Sequence, residues 1–540
     1  MIYEGNIVDV INSRIFKGRI EVKDGLVFKV EERDTVSDNY ILPGLVDSHV
    51  HIESSMLTPS QFSKLVVPRG TVAVVTDPHE IANVLGIEGV DYMIKDAEQT
   101  PLKCFFGAPS CVPATPFESS GAVLNSDDIQ KLLERDDIWF LSEMMNFPGV
   151  INQDEEVLSK IKAAHRSGKK IDGHAPGIVG EGLRKYAQAG ISSDHECVST
   201  EEAIEKINRG ITVQIREGSA AKNFDILADL FRTHPDEVML CTDDSHPDEI
   251  INKGHIDKII KKGIAQGYDI MSLLRAATLK PIQHYNLPVG LLRKGDAADF
   301  IIIDNLTDFN ILETYINGTC VYNNTLKFEV EKSTPINNFN ISSLSECDIK
   351  IENQIGKKVR VIVPVDGDLL TDEYLWETNS EDEYLQPLVG DDILKIVVVN
   401  RYKSEKPIVG FIKNIGIKAG AFACSVAHDS HNLIAVGVDD QSIVEALNAI
   451  IEEKGGISVK DDSGVDILPL EVAGLMTASD GVEVARKYEQ LNTKVQKLGS
   501  PLKAPFMTVS FMSLLVIPSL KIGDKGLFDV NRFSFTSLFV

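Results

Sequence analysis

The sequence predicts an α/β protein: a (β/α)8 barrel inserted in a small β-sandwich domain, plus a C-terminal α/β domain. Three observations carry this. Short apolar runs alternate with longer amphipathic segments over residues 45–288, the pattern of repeated strand–helix units. Short strands with tight turns flank that stretch, in residues 1–44 and 289–335. A Pro-, Asn- and Ser-rich segment at 331–345 then leads into a separate set of strands and helices, residues 346–540. A chain of 540 residues exceeds what one hydrophobic core organises, so several domains are expected.

In the first flank, Asn6–Val10 and Arg19–Val22 read as strands, and Lys23-Asp24-Gly25 carries the Asp-Gly signature of a tight hairpin. An apolar strand then runs into Pro43-Gly44-Leu45-Val46-Asp47. Candidate barrel strands are Val72–Val75, Cys104–Phe106, Trp139–Leu141, Ile171–Gly173, Ile191–Ser193, Thr212–Ile215 and Val238–Cys241. Amphipathic helices such as Asp154–Ser167 and Thr200–Arg209 lie between them. Periodicity alone fits a doubly wound open sheet equally well. Gly290–Leu292 and Lys294–Ile303 begin the strands that complete the small β domain. In the last part, Lys358–Val363 and Ile396–Val399 are strands. Asp440 is expected to cap a helix with Ile443, Leu447, Ile450 and Ile451 on one face, ending near Gly455. A second helix is expected over Gly481–Leu498, with Gly499 as its C-cap.

Composition narrows the function classes. Hydrophobic content of 43% and charged content of 25% are those of a soluble globular protein. A formal net charge of -26 argues against binding through nucleic-acid phosphates, which calls for clustered Lys and Arg. The seven cysteines are odd in number and form no CxxC pair, so neither a zinc ribbon nor a disulfide framework is indicated. The N-terminus lacks a basic segment followed by an apolar core, and no run of 18 apolar residues suggests a membrane span. A cytoplasmic protein with no membrane partner is expected.

The strongest chemical signal is Asp47-Ser48-His49-Val50-His51 after an apolar strand. Alternate residues of an extended chain share a face, so His49 and His51 can bind one metal ion through neutral imidazole. A lone His-x-His is equally a surface or core feature. Here, however, His174 follows Ile171–Gly173, His195 follows Ile191–Asp194, and Asp243 follows Val238–Thr242. Each polar group sits where an apolar strand gives way to a loop, and at the C-terminal ends of barrel strands such groups converge. The competing reading makes Asp243 a cap and the histidines core hydrogen-bonding groups.

This ordered set of two close histidines, two later ones and a late aspartate resembles the amidohydrolase superfamily. Longer strings are similar to the adenine deaminase family: His51–Met56, Thr76–Asn83, Pro109–Ala114, Glu143–Gly149, Asp172–Gly177, Ser193–Glu196 and Arg216–Ser219. Ala427-His428-Asp429-Ser430-His431-Asn432 and Pro505-Phe506-Met507 resemble the domain that follows the barrel in that family.

The resemblance implies hydrolytic deamination of adenine to hypoxanthine and ammonia, in purine salvage. A metal lowers the pKa of bound water to roughly 7 in favourable sites, which supplies the nucleophile. The implied ligands are His49, His51, Glu143, His174, His195 and Asp243, around a binuclear divalent centre of manganese or iron(II), with zinc also compatible. Many relatives bridge two metals with a carboxylated lysine, but no lysine occurs between Lys131 and Lys160, so Glu143 takes that place. Bridging, passing a proton to N1 of the purine, or starting a helix are the three readings of Glu143. Asp243 is the expected base, taking a proton from the nucleophile and delivering it to the leaving amine. Glu80, Glu196 and Glu217 are candidates for substrate contacts, each equally readable as a solvated loop acid. His428 and His431 either close over the site or form a turn. The implied partner is the free base adenine, with a homo-oligomer, a dimer first, as the assembly. The alternatives are a guanine-deaminase-like enzyme or cyclic amidase on the same barrel, or a non-catalytic purine-binding relative.

Overall fold

Apolar runs without polar alternation make strands buried on both faces. The computed structural model of the chain describes residues 1–219, 221–366, 369–378 and 380–540. It divides into two compact units. The first comprises Met1–His79, Asp91–Cys111 and Leu124–Ser333; the second comprises Glu80–Val90, Val112–Val123 and Thr334–Val540.

The first unit begins with β1 (Ile2–Asp9), β2 (Arg14–Lys23), β3 (Leu26–Glu32) and β4 (Tyr40–Pro43). Asp24 and Gly25 have φ of 50° and 78°, the left-handed pair that the β2–β3 turn requires. The barrel strands are β5 (Leu45–His51), β6 (Thr71–Thr76), β7 (Lys103–Ala108), β8 (Ile138–Met144), β9 (Lys170–Gly173), β10 (Ser193–Asp194), β11 (Thr212–Arg216) and β12 (Val238–Cys241). A short β13 (Asp243–Asp244) continues β12. Each strand pairs in parallel with the next, β12 pairs with β11, and β13 pairs with β5. The sheet therefore returns to its first strand, which decides for the barrel over the open sheet. Strand β10 begins at Ser193 rather than Ile191, because its pairing starts at the Ser193–Asp172 and Ser193–Thr212 registers. Helices α1 (Glu155–Ser167) and α2 (Thr200–Asn208) are capped by Asp154 and Ser199.

After the barrel come β14 (Phe300–Ile303), β15 (Ile311–Ile316), β16 (Thr319–Asn323) and β17 (Thr325–Leu326). They join the first four strands in one sheet of order β17-β16-β15-β14-β4-β1-β2-β3. The two flanks meet where Phe300 opposes Pro43 in the antiparallel β4–β14 pair. Ile7, Ile20, Val22, Ile41 and Phe300 form the core behind it.

The second unit is built on β18 (Lys358–Pro364), β19 (Thr371–Glu377), β20 (Leu394–Val399), β21 (Ile408–Ile412), β22 (Ala421–Cys424), β23 (Leu433–Gly437), β24 (Gly456–Asp461) and β25 (Gly464–Pro469). Their order is β19-β18-β21-β20-β23-β22-β24-β25. Helix α3 (Asp440–Glu453) packs Ile443, Leu447 and Ile450 against this sheet. Its N-cap is Asp439, one residue earlier than expected: Asp439 is extended and its carboxylate accepts from Ser442 N at 2.7 Å. Asp440 instead pairs with the buried Lys395. Helix α4 runs Gly481–Lys497, with Leu498 as C-cap and Gly499 following at φ 118°. All seven cysteines are free thiols, and no helix among the described residues is long and apolar enough to cross a membrane.

Candidate metal centre

The C-terminal ends of the barrel strands bring together a buried set of imidazoles and carboxylates. His49 and His51 sit at the end of β5, Asp77 and His79 just beyond β6, and Glu143 near the end of β8. His174 follows β9, His195 follows β10, and Asp243 opens β13. Asp243 has φ 56°, a left-handed conformation that breaks the last strand at Thr242.

Three donors meet on one side. Nε2 of His49 and Nε2 of His51 are 3.2 Å apart, and Asp243 Oδ1 lies 3.6 Å and 3.3 Å from them. Glu143 Oε1 is 3.4 Å from His51 Nε2. On the other side, Glu143 Oε2 is 2.7 Å from His174 Nδ1 and 3.2 Å from His195 Nε2. Glu143 thus faces both groups with different oxygens. Among the described residues, four groups could hold an ion, two of them His49–His195–Asp243 and Glu143–His174–His195. The others are His51–Asp77–His79–Glu143 and His51–Asp243–Asp244.

These separations fit a divalent ion. Ligand atoms about 2.0–2.2 Å from one ion, at tetrahedral or octahedral angles, lie about 3.0–3.5 Å from each other. Two imidazole nitrogens at 3.2 Å share at most one proton, and a cation between them serves both lone pairs. His51 is oriented for this, since its Nδ1 donates to the Asp77 carbonyl at 3.1 Å and leaves Nε2 for the centre.

The electrostatics divide by residue. Burial pushes the Glu143 carboxyl up, but His174, His195 and His51 outweigh it and hold it well below the usual range. Burial likewise opposes the Asp243 carboxylate, while Arg216, His49 and His51 hold its pKa well below the ordinary value. Arg216 Nη1 donates to Asp243 Oδ2 at 2.5 Å, and Nη2 donates to Glu196 Oε2 at 2.9 Å. Asp244 moves the other way, raised by burial and by Asp243, and accepts from Ser54 Oγ at 2.5 Å. Burial lowers His174, but Glu196 and Glu143 outweigh it and bring its pKa to about 9.

The three expected substrate acids are placed differently. Glu196 stands 3.6 Å from His195 Nε2 and 3.7 Å from His174 Nδ1. Glu217 accepts from Lys262 Nζ at 3.0 Å and is absent from the four donor groups. Glu80 belongs to the second unit, where its carboxylate is 3.3 Å from His428 Nδ1 and 3.8 Å from His431 Nε2. The His428 ring stacks on Phe511 with centroids 4.4 Å apart.

Asp77 and His79 are donors to which sequence reasoning gave no role. They lie just past the apolar strand β6, the same strand-end position that marks His174, His195 and Asp243, and that signal would have found them. His79 Nδ1 is 3.1 Å from Asp77 Oδ2 and 3.4 Å from Glu143 Oε1. Arg216 stood in the family-like string Arg216–Ser219, but its partnership with Asp243 was not foreseen, since that contact depends on the tertiary structure.

Residues 40–321 match the amidohydrolase family and residues 368–534 match the adenine deaminase C-terminal domain. The chain is 55% identical over 545 residues to an adenine deaminase of Methanosarcina barkeri, covering 99% of each chain. It is 48% identical over 543 residues to an adenine deaminase of Parabacteroides distasonis, covering 100% of this chain and 99% of the other. A third similarity, 45% over 541 residues and 98% of each chain, is to an adenine deaminase of Borreliella afzelii.

Proposed function

The chain belongs to the amidohydrolase family and, within it, to the adenine deaminases, and from that premise we propose that it hydrolyses adenine to hypoxanthine and ammonia at the barrel-mouth cluster. The observation that carries the reading is Glu143, whose two carboxylate oxygens face two separate histidine groups. His49, His51 and Asp243 would hold one ion and His174 and His195 a second, with Glu143 available to both. Both of its oxygens are engaged and it is held ionised, which favours bridging over carrying a proton. The mixed imidazole and carboxylate set suits manganese or iron(II), and zinc as well. When bound, such ions supply water of lowered pKa at neutral pH.

As C6 gains oxygen and loses nitrogen, one proton of the water ends on N1 of the purine and the other leaves with the amine as ammonia. Asp243 is our choice for the transfer to the leaving amine. It stands beside His49 and His51, and Arg216 keeps it in the carboxylate form that accepts a proton. Glu196 is the strongest of the three acids for a substrate contact, being beside His174 and His195. Lys262 already holds Glu217, and Glu80 sits among the histidines of the second unit. Adenine salvage in the cytoplasm by a homodimer completes the reading, on family resemblance.

Ammonia release from adenine, adenosine, guanine and cytosine tests the substrate assignment on manganese-loaded protein. Turnover of adenine far above the other three is expected. Preference for guanine, or no ammonia from any of the four, would overturn it.

A further inference from the structure

The two halves of the donor cluster rest on different buried supports. Asp47 serves the first half. Its carboxylate accepts from His49 N at 3.3 Å, Thr242 N at 3.1 Å and Thr242 Oγ1 at 2.5 Å, and His255 Nε2 lies 3.1 Å away. This network ties β5 to the residue before Asp243.

The second half has a support of its own, on helix α2. Lys206 and Glu202 lie one turn apart there, and with Asp194 they are at most 2% exposed. Lys206 Nζ is 3.0 Å from Asp194 Oδ1 and 2.9 Å from Glu202 Oε1, and donates to Ala175 O at 2.8 Å. Asp194 accepts from Ala175 N at 3.1 Å and Glu196 N at 2.8 Å. Glu202 accepts from Gly177 N and Val198 N, both at 3.0 Å. Every backbone group in this network belongs to residues 174–177 or 194–198, the segments that carry His174 and His195. The Ala175 residue, next to His174, is held at both its N–H and its carbonyl.

Burying an ammonium and two carboxylates is costly, and an apolar helix face would pack as well without them. Burial opposes the Lys206 charge, but Asp194 and Glu202 outweigh it and raise its pKa, so the group is a cation that both carboxylates need. We propose that Lys206 is a positioning residue for the His174–His195 half of the metal centre, acting through Asp194 and Glu202 on the two loops that carry those histidines. The proposal rests on the reading of the cluster as a two-ion site.

The test is the Lys206→Met/Glu202→Gln double variant. One cation and two carboxylates become one carboxylate, so the net charge of the buried group stays at minus one. Manganese content per chain is measured after loading and dialysis, with thermal unfolding of the metal-free protein and kcat and KM for adenine alongside. The wild type should retain about two ions and the variant about one, with the weaker ion's dissociation constant raised about 10–100-fold. Excess manganese should then restore kcat in the variant with little change in KM, which a merely structural role would not produce. Glu202→Gln alone, which keeps Lys206 paired with Asp194, should weaken the same ion less, and carries the test if the double variant does not fold. Retention of both ions at wild-type affinity, or loss of both together, would overturn the proposal. A wild type that retains no ion would instead overturn the metal reading of the site itself.

Discussion

Asp243 and Asp244 are adjacent carboxylates with opposite tendencies, and the difference lies in their neighbours. Arg216 and two histidines face Asp243, whereas Asp244 has Ser54 and the charge of Asp243. Asp243→Asn should therefore lower adenine turnover by at least about 10²-fold while adenine still binds. Asp244→Asn should cost much less, and pre-steady-state hypoxanthine formation with metal content checked distinguishes them. Full activity in the first variant and collapse in the second would reverse the assignment.

His174 and His284 give opposite pH signatures. His174 titrates at about 9 in the metal-free protein, so below that pH an ion must displace its proton. Metal affinity should rise with pH from 6.5 to 9 and flatten above, as read by manganese titration, and His174→Gln should remove that part of the dependence. The raised pKa also stabilises the metal-free fold fully below pH 6.5, and that increment is lost as pH rises through about 9. His284 is shifted down to about 3, by burial first and then by Lys170. Its unfolded form takes a proton below pH 6.5 and its folded form does not, so stability falls with acid, by about 2 kcal/mol at pH 5. Urea unfolding of His284→Gln across pH 5–7 should show a flatter dependence, and an unchanged slope would contradict this.

At the scale of elements, what was legible followed local rules. Strand β5 announces its histidines because an extended chain puts alternate residues on one face. Helix α3 was found from its apolar stripe, but its cap was misplaced by one residue, since Asp439 and Asp440 are equivalent in sequence. The carboxylate that reaches Ser442 N is that of Asp439. Asp439→Ala should cost the second unit about 1 kcal/mol in chemical denaturation. Periodicity alone did not distinguish the barrel from an open sheet, because the pairing of β13 with β5 is a register between distant segments; the strand-end polar residues and the family resemblance pointed to the barrel. Lys206 and Glu202 were hidden for a different reason. Charges four apart on a helix ordinarily mark a solvated face, and only the tertiary structure buries them.

At the scale of the whole molecule, the barrel supplies the donors from strands widely separated in sequence, and its closure brings His49 and Asp243 together. A net charge of -26 gives a neutral purine no electrostatic guidance, though it favours the approach of cations. Adenine kcat/KM of the metal-loaded protein should thus change little with salt, while the rate of manganese uptake should fall as salt screens the field. The central claim is that the donors meeting at Glu143 would hold two divalent ions on which turnover depends. It is tested most directly by titrating manganese(II) into metal-stripped protein while following ammonia release from adenine. Turnover should be absent without metal and rise to a plateau at about two ions per chain, as expected if His51 on one side and His174 and His195 on the other share Glu143. Full turnover by the stripped protein in the presence of chelator would contradict the account.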